Sequence, residues 1–116
     1  MIDIIHWDLE LTLKDGSDAE FDALKHEMIT ATKAEEGTLI YEWMRSGQTV
    51  HIYERYTDSA AAMVHLGNFG DKFADRFMAL LTPVSFKIWG PASQELRDAT
   101  SPLGAKFFDH VGGFAR

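Results

Sequence analysis

From residue 3 to residue 13 hydrophobic and polar side chains alternate. Ile5, Trp7, Leu9, Leu11 and Leu13 fall on one face, and His6, Asp8, Glu10 and Thr12 on the other. A period of two over that length marks a half-buried strand, which Lys14-Asp15-Gly16 ends. The period then lengthens. Phe21, Leu24, Met28 and Ala31 recur at helical spacing, so a helix running to about Glu36 is expected. Ser17 and Glu20 have the spacing of a capping box, and Gly37 is placed to stop the helix in a left-handed conformation.

Two strand-like runs follow, 38–45 and 49–56, joined by a turn at Ser46-Gly47-Gln48. A two-residue loop puts Leu39, Tyr41, Trp43 and Arg45 on one face with Val50, Ile52, Glu54 and Tyr56. Ile40, Glu42, Met44, His51, Tyr53 and Arg55 then take the other, and a three-residue loop would invert the match. Thr57 or Asp58 can cap a short helix over Ala60 to Leu66, which Gly67 and Gly70 interrupt. A second helical stretch carries Phe69, Phe73, Phe77 and Leu80 on one stripe. Residues 82–89 alternate again, Val84, Phe86 and Ile88 against Ser85, Lys87 and Trp89, until Gly90-Pro91. Residues 92–116 read as a tail with one helical turn near Gln94 to Asp98.

Strand, helix, strand, strand, helix, strand is the α+β, ferredoxin-like βαββαβ order: a four-stranded antiparallel sheet with both helices on one face. The uncovered face would show Ile40, Met44, Tyr53 and Trp89, too apolar for free exposure. A homodimer, sheet against sheet, is the expected remedy. Phe107, Phe108, Val111 and Phe114 of the tail need cover as well.

Composition narrows the function. The 116 residues make one domain. Eleven basic against eighteen acidic side chains give a net charge of −7, which argues against a nucleic-acid partner. The absence of cysteine removes disulfides, thiolate nucleophiles and Cys-based zinc sites. No apolar run approaches the ~18 residues of a membrane span. Met1 to Leu13 carries Asp3, Asp8 and Glu10 and no early cation, so it does not read as a secretory signal. A soluble cytoplasmic protein is expected.

Three short runs resemble the antibiotic biosynthesis monooxygenase family of the dimeric α+β barrel superfamily: Glu36-Gly37-Thr38-Leu39-Ile40-Tyr41-Glu42, Tyr53-Glu54-Arg55-Tyr56-Thr57-Asp58, and Ala61 to His65 within Ser59–His65. Gly90-Pro91 with Glu95-Leu96 also fits. The resemblance covers about residues 3–98, within an expected domain of 1–98, leaving 99–116 as a tail that packs on the partner subunit or over the pocket. It implies an oxygenase that needs no cofactor, acting with O2 on a quinol-like or polyphenolic substrate in a pocket between helices and sheet. Haem-degrading relatives use an Asn, Trp and His set, of which Asn68 and His65 lie close in sequence. Other relatives isomerise small phosphorylated sugars, so fold alone does not fix the chemistry.

Ground-state oxygen is a triplet and reacts with a closed-shell molecule only after receiving an electron, which a phenolate or enolate can give. The protein must then supply a base, a dry pocket and donors for the anion. His65, among Met63, Val64, Leu66 and Phe69, is the candidate base; burial would keep its imidazole neutral. The plainer reading is a histidine set against a helix C-terminus or satisfied in the core. Glu54 falls on an apolar face and needs a partner: it either orients His65 or binds a substrate hydroxyl, or makes a structural hydrogen bond to backbone or a tyrosine. Tyr41, Trp43, Phe69 and Phe73 are candidate substrate-binding walls or plain core. Asn68 is a candidate oxyanion donor or a turn residue. His6 and His51 belong to the presumed dimer face, His26 to mid-helix and His110 to the tail. None has metal-ligand spacing, and Arg55 and Glu42 are expected to pair across the hairpin or the dimer. The readings are thus an oxygenase, a dimer that binds a small aromatic or haem-like ligand without catalysis, and an isomerase or lyase using the same base without O2.

Overall fold

In the computed structural model, which describes residues 3–116, the chain begins with β1 (Ile5–Leu13), α1 (Asp18–Lys33), β2 (Thr38–Ser46), β3 (Thr49–Tyr56) and α2 (Ser59–Lys72). It continues with α3 (Ala74–Leu80), β4 (Leu81–Trp89), α4 (Gln94–Thr100), a single tight helical turn (Ser101–Leu103) and β5 (Ala105–Phe108). Met1 and Ile2, the start of the amino-terminal stretch read above for a secretory signal, lie outside the described residues.

The sheet order is β2-β3-β1-β4-β5. Its first four strands pair antiparallel in the expected ferredoxin-like α+β arrangement. The fifth strand departs from the four expected. β5 lies parallel to β4, with Phe86 opposite Ala105 and Trp89 opposite Phe108. A parallel neighbour requires a crossover, which α4 and the tight turn supply, anchored by the buried Leu96 and Thr100. The expected boundary at residue 98 therefore falls inside a helix.

The hairpin closes with Ser46 opposite Thr49 around Gly47-Gln48, and Gly47 takes the positive φ of +58° that the turn demands. Tyr41 then faces Glu54 and Trp43 faces Ile52, as a two-residue loop requires. Two β-bulges correct the expected faces. Thr38 pairs Tyr56 while Ile40 pairs Arg55, so Leu39 bulges out and is exposed. Leu11 pairs Pro83 while Glu10 pairs Ser85, so Val84 also bulges out, beside a proline that has no N–H for the ladder. Glu42 stands opposite Tyr53 and Arg55 opposite Ile40 and His6, so the expected Arg55–Glu42 pair does not form within the chain.

The helix ends carry further corrections. Ser17 caps α1 by position, but its hydroxyl turns back to the Lys14 carbonyl and no capping box forms. Asp58 does cap α2, accepting from the Ala61 N–H at 2.8 Å. That helix continues through Gly67 and Gly70 and breaks only at Phe73. Gly37 is not left-handed; α1 has already ended at Lys33. Its glycine is needed for another reason: a Cβ there would overlap the Ala61 methyl group. The close approach, with Thr57 N–H donating to the Gly37 carbonyl at 3.0 Å, pins the loop after α1 against the start of α2.

The helices cover one sheet face in two halves. One core cluster joins Leu11, Leu24, Val50, Phe77 and Leu81 under α1 and α3. The other joins Ile5, Trp7, Tyr56, Ala62, Ile88 and Leu96 under α2 and α4. Leu9 touches both, and the seam between them is where the site lies.

Candidate active site

Three elements bring three charged side chains to that seam. The loop after α1 carries Glu35, β3 carries Glu54 on its helix-facing side, and α2 carries His65. His65 Nδ1 lies 2.9 Å from Glu35 Oε1, and His65 Nε2 lies 3.2 Å from Glu54 Oε1. All three side chains are less than a tenth exposed. The two carboxylates are held differently. Glu35 accepts from Thr38 Oγ1 (3.2 Å) as well as His65 on one oxygen, and from Asn68 Nδ2 (3.1 Å) on the other. Glu54 Oε1 accepts from the Tyr56 hydroxyl at 2.5 Å and faces His65 Nε2 at 3.2 Å. Its Oε2 receives no hydrogen bond from the described residues, yet is not a sealed, unpartnered atom either.

An imidazole that meets a carboxylate at each nitrogen satisfies both contacts only when both nitrogens carry protons. Burial pushes the His65 pKa down, but the hydrogen bonds and charges of Glu54 and Glu35 outweigh it, and the net displacement is upward. That direction runs against the neutral ring expected from burial alone. The cluster thus sets one imidazole between two buried carboxylates, an arrangement that favours its protonated form. Burial, with the Glu54 charge second, holds the Tyr41 and Tyr56 phenols well above their ordinary range, so both stay neutral.

Beside the cluster is a cavity of about 60 Å³ between sheet and helices. Glu54 and His65 are its charged walls; Tyr41 and Phe69 also line it, with Trp7, Ile52, Phe77 and Phe86. Four of the expected site residues are thus brought together. Three are not. Trp43 packs against Phe21 and Phe77, and its buried indole N–H lacks an acceptor. Phe73 packs against the first core cluster, at the break between α2 and α3. Asn68 is not a turn residue, because it lies in α2; its amide donates to Glu35, and it does not line the cavity. Glu54 lies 3.2 Å from His65 and also accepts from the Tyr56 hydroxyl.

Glu35 was absent from the expected set. It had one signal: a carboxylate just past a helix C-terminus opposes the helix dipole, so something else must hold it there. Among the described residues no group of three or more His, Asp or Glu side chains is arranged to hold a metal ion. A haem does not fit either, because both His65 nitrogens and the Asn68 amide are engaged and the cavity is far smaller than a macrocycle. No helix of the described residues is long and apolar enough to cross a membrane.

The fold recurs widely. MupZ from Pseudomonas fluorescens is 23% identical, with a TM-score of 0.87 over 97% of this chain and 94% of its own. SnoaB, a cofactor-independent oxygenase from Streptomyces nogalater, is 18% identical, with a TM-score of 0.66 over 79% of this chain and 96% of its own. Rv0793 from Mycobacterium tuberculosis is 25% identical, with a TM-score of 0.61 over 78% and 97%. The likeness to MupZ takes in the C-terminal segment; the other two leave about a fifth of this chain unmatched. No curated protein matches the chain in sequence. The family model described as antibiotic biosynthesis monooxygenase matches residues 4–81, a span that includes Glu35, Glu54 and His65. This chain belongs to the antibiotic biosynthesis monooxygenase family.

Proposed function

We propose that the chain is a cofactor-independent oxygenase of a small aromatic or quinol-type substrate, with the Glu35–His65–Glu54 cluster handling the protons. The observation that carries this reading is the asymmetry of the carboxylates. Glu35 is saturated with donors and serves as the anchor, whereas Glu54 lines the cavity with an oxygen to spare. Glu54 is the base and His65 the proton donor beside it. Glu54 takes a proton from the substrate, and the resulting anion gives an electron to O2. Recombination of the radical pair forms a C–O bond as a peroxide. The cluster returns that proton to the distal oxygen. Glu54 then removes the second hydrogen of the same carbon as a proton, and its C–H electron pair forms the carbonyl as the O–O bond breaks. The distal oxygen takes this second proton and leaves as water. Two hydrogens leave the substrate, one oxygen atom enters, and O2 takes up four electrons, so no further reductant is needed.

The low-dielectric walls favour the step, since they strengthen the charges aimed at the anion and keep water from competing. An oxygen electrode tests the reading with a panel of hydroquinones and anthrone-type substrates. Equimolar loss of O2 and substrate is expected, abolished in Glu54→Gln. Substrate turnover without oxygen uptake would instead establish the second reading, an isomerase or lyase, which the proton-sharing cluster also favours.

The open face of the sheet supports a homodimer. It exposes Met44 and carries His6, bonded to the Tyr53 hydroxyl at 2.8 Å, with Trp89 against the same ring. Sedimentation equilibrium should return twice the chain mass; a monomer at micromolar concentration overturns that proposal.

A further inference from the structure

The cavity is too small, as it stands, for the substrate class proposed above. It measures about 60 Å³, whereas a cavity that takes up benzene is on the order of 150 Å³. A ring can enter only if a wall moves. Most walls are fixed: Trp7, Met28, Ile52, Phe77 and Phe86 are buried within the two core clusters. Leu103 is the exception. It lines the cavity and is 57% exposed, the one lining residue to reach solvent to that extent. A side chain that touches both cavity and solvent marks the mouth.

Its setting allows movement. Leu103 ends the tight turn Ser101–Leu103 and is followed by Gly104 at a φ of +84°, a conformation that favours glycine. The turn is suspended between two anchored ends. Thr100 is fully buried, its hydroxyl donating to the Leu96 carbonyl at 2.7 Å, and β5 is paired to β4. This segment lies outside the 4–81 stretch that matches the family. The shared part of the fold therefore holds the proton chemistry, while the appended part holds the entrance.

We propose that Leu103 sets the size of ligand the site accepts, and that the ligand is a small uncharged aromatic with one hydroxyl. Its ring displaces the Leu103 side chain and its hydroxyl reaches Glu54. The inference rests on the site proposed above and adds what that site takes. The chemistry of the walls selects the class: they are apolar but for the cluster, whose excess negative charge repels an anion. A neutral hydroxyl can donate to the spare Glu54 oxygen, so the one polar group of such a ligand is satisfied.

Calorimetric titration of the full chain with phenol and with 1-naphthol tests the proposal. Leu103→Ala should raise the affinity for 1-naphthol relative to phenol by about tenfold, and Leu103→Trp should weaken both by a similar factor. At so exposed a position both variants should melt as the wild type does. A naphthol-to-phenol ratio that stays within twofold in Leu103→Ala, or an undiminished affinity for both ligands in Leu103→Trp, overturns the role of Leu103. If wild type and variants all fail to bind phenol, the ligand class is wrong. Neither reading involves oxygen uptake, so the failure of this inference and the failure of the oxygenase reading are told apart.

Discussion

Two histidines in this chain each sit between two carboxylates, one on either side of the same sheet. On the helix-covered side His65 meets Glu35 at 2.9 Å and Glu54 at 3.2 Å. On the open side His51 meets Asp8 at 2.8 Å and Glu10 at 3.8 Å. The groups and the near contacts are alike; the surroundings differ. The His65 cluster is 5–9% exposed, the His51 cluster 24–37%. A given charge pair attracts roughly four times more strongly at an effective dielectric constant near 20 than in bulk water. It is also far less screened by salt when buried. The buried cluster adjoins a cavity between sheet and helices, whereas Asp8 and His51 line a more open depression with Met44 and Thr49. What distinguishes a candidate for catalysis from a solvated surface pair is therefore the dielectric around it, not the residue types.

The sharpest way to break this comparison is through activity. Glu54→Gln and His65→Ala should each lower turnover by about 10²–10⁴, the range of a lost acid or base. Asp8→Asn on the open side should leave it unchanged. Glu35→Gln should fall between them, because it acts through His65: its effect should appear in kcat with a displaced pH profile, and KM should hardly move. Steady-state oxygen uptake measures all four. Equal losses on both sides of the sheet would refute the distinction.

Stability separates the clusters next. His65→Gln leaves two buried carboxylates without the imidazole between them, a loss of about 3–5 kcal/mol, to be read by urea denaturation. The pH dependence gives the same contrast a sign. His65 titrates higher when folded than the ~6.5 of an unfolded histidine. Its stabilisation is complete below ~6.5 and is lost as pH rises through the folded value, by about 1.4 kcal/mol for each unit between the two. An NMR titration that placed the His65 ring below 6.5 would reverse that sign.

How much of this was legible in the sequence follows from the range of each interaction. The period-two pattern of β1 and the helical stripe of α1 are local, and so are the two-residue hairpin and the Asp58 cap; these set the fold and put Glu54 on the helix-facing side. The bulges at Leu39 and Val84 depend on how neighbouring strands slip past one another, which one strand's pattern does not record. β5 is four residues long, too short to show a period, and its parallel partner lies far back in the chain. His65 was found from its apolar neighbours. Its contact with Glu35 was not, because thirty positions of sequence separate the two.

Gly37 shows the same limit, and altering it gives a graded test. The residue looks like a helix stop but acts as the contact that lets α2 approach the loop carrying Glu35. Gly37→Ala forces a methyl group onto that of Ala61, an overpacking that costs about 1–3 kcal/mol. The displacement also draws Glu35 away from His65. The variant should therefore lose activity out of proportion to its stability and show a lowered His65 pKa. Lost stability with an unmoved His65 titration would mean that Gly37 serves packing alone.

The smallest effect belongs to the open side, and it sharpens the comparison most. In an isolated subunit His51 is a partly solvated group, so His51→Gln should change stability by less than about 1 kcal/mol, and by nothing measurable in 1 M salt. If a second copy covers that face, water is excluded from Asp8, His51 and Glu10 as well. The substitution should then cost more as protein concentration rises through the dimerisation range, because stability is linked to assembly. Denaturation of both proteins at 1 µM and 100 µM decides it. A difference that grows with concentration shows that the open cluster is buried on assembly; one that stays small and constant shows that the two histidines differ permanently in their access to water.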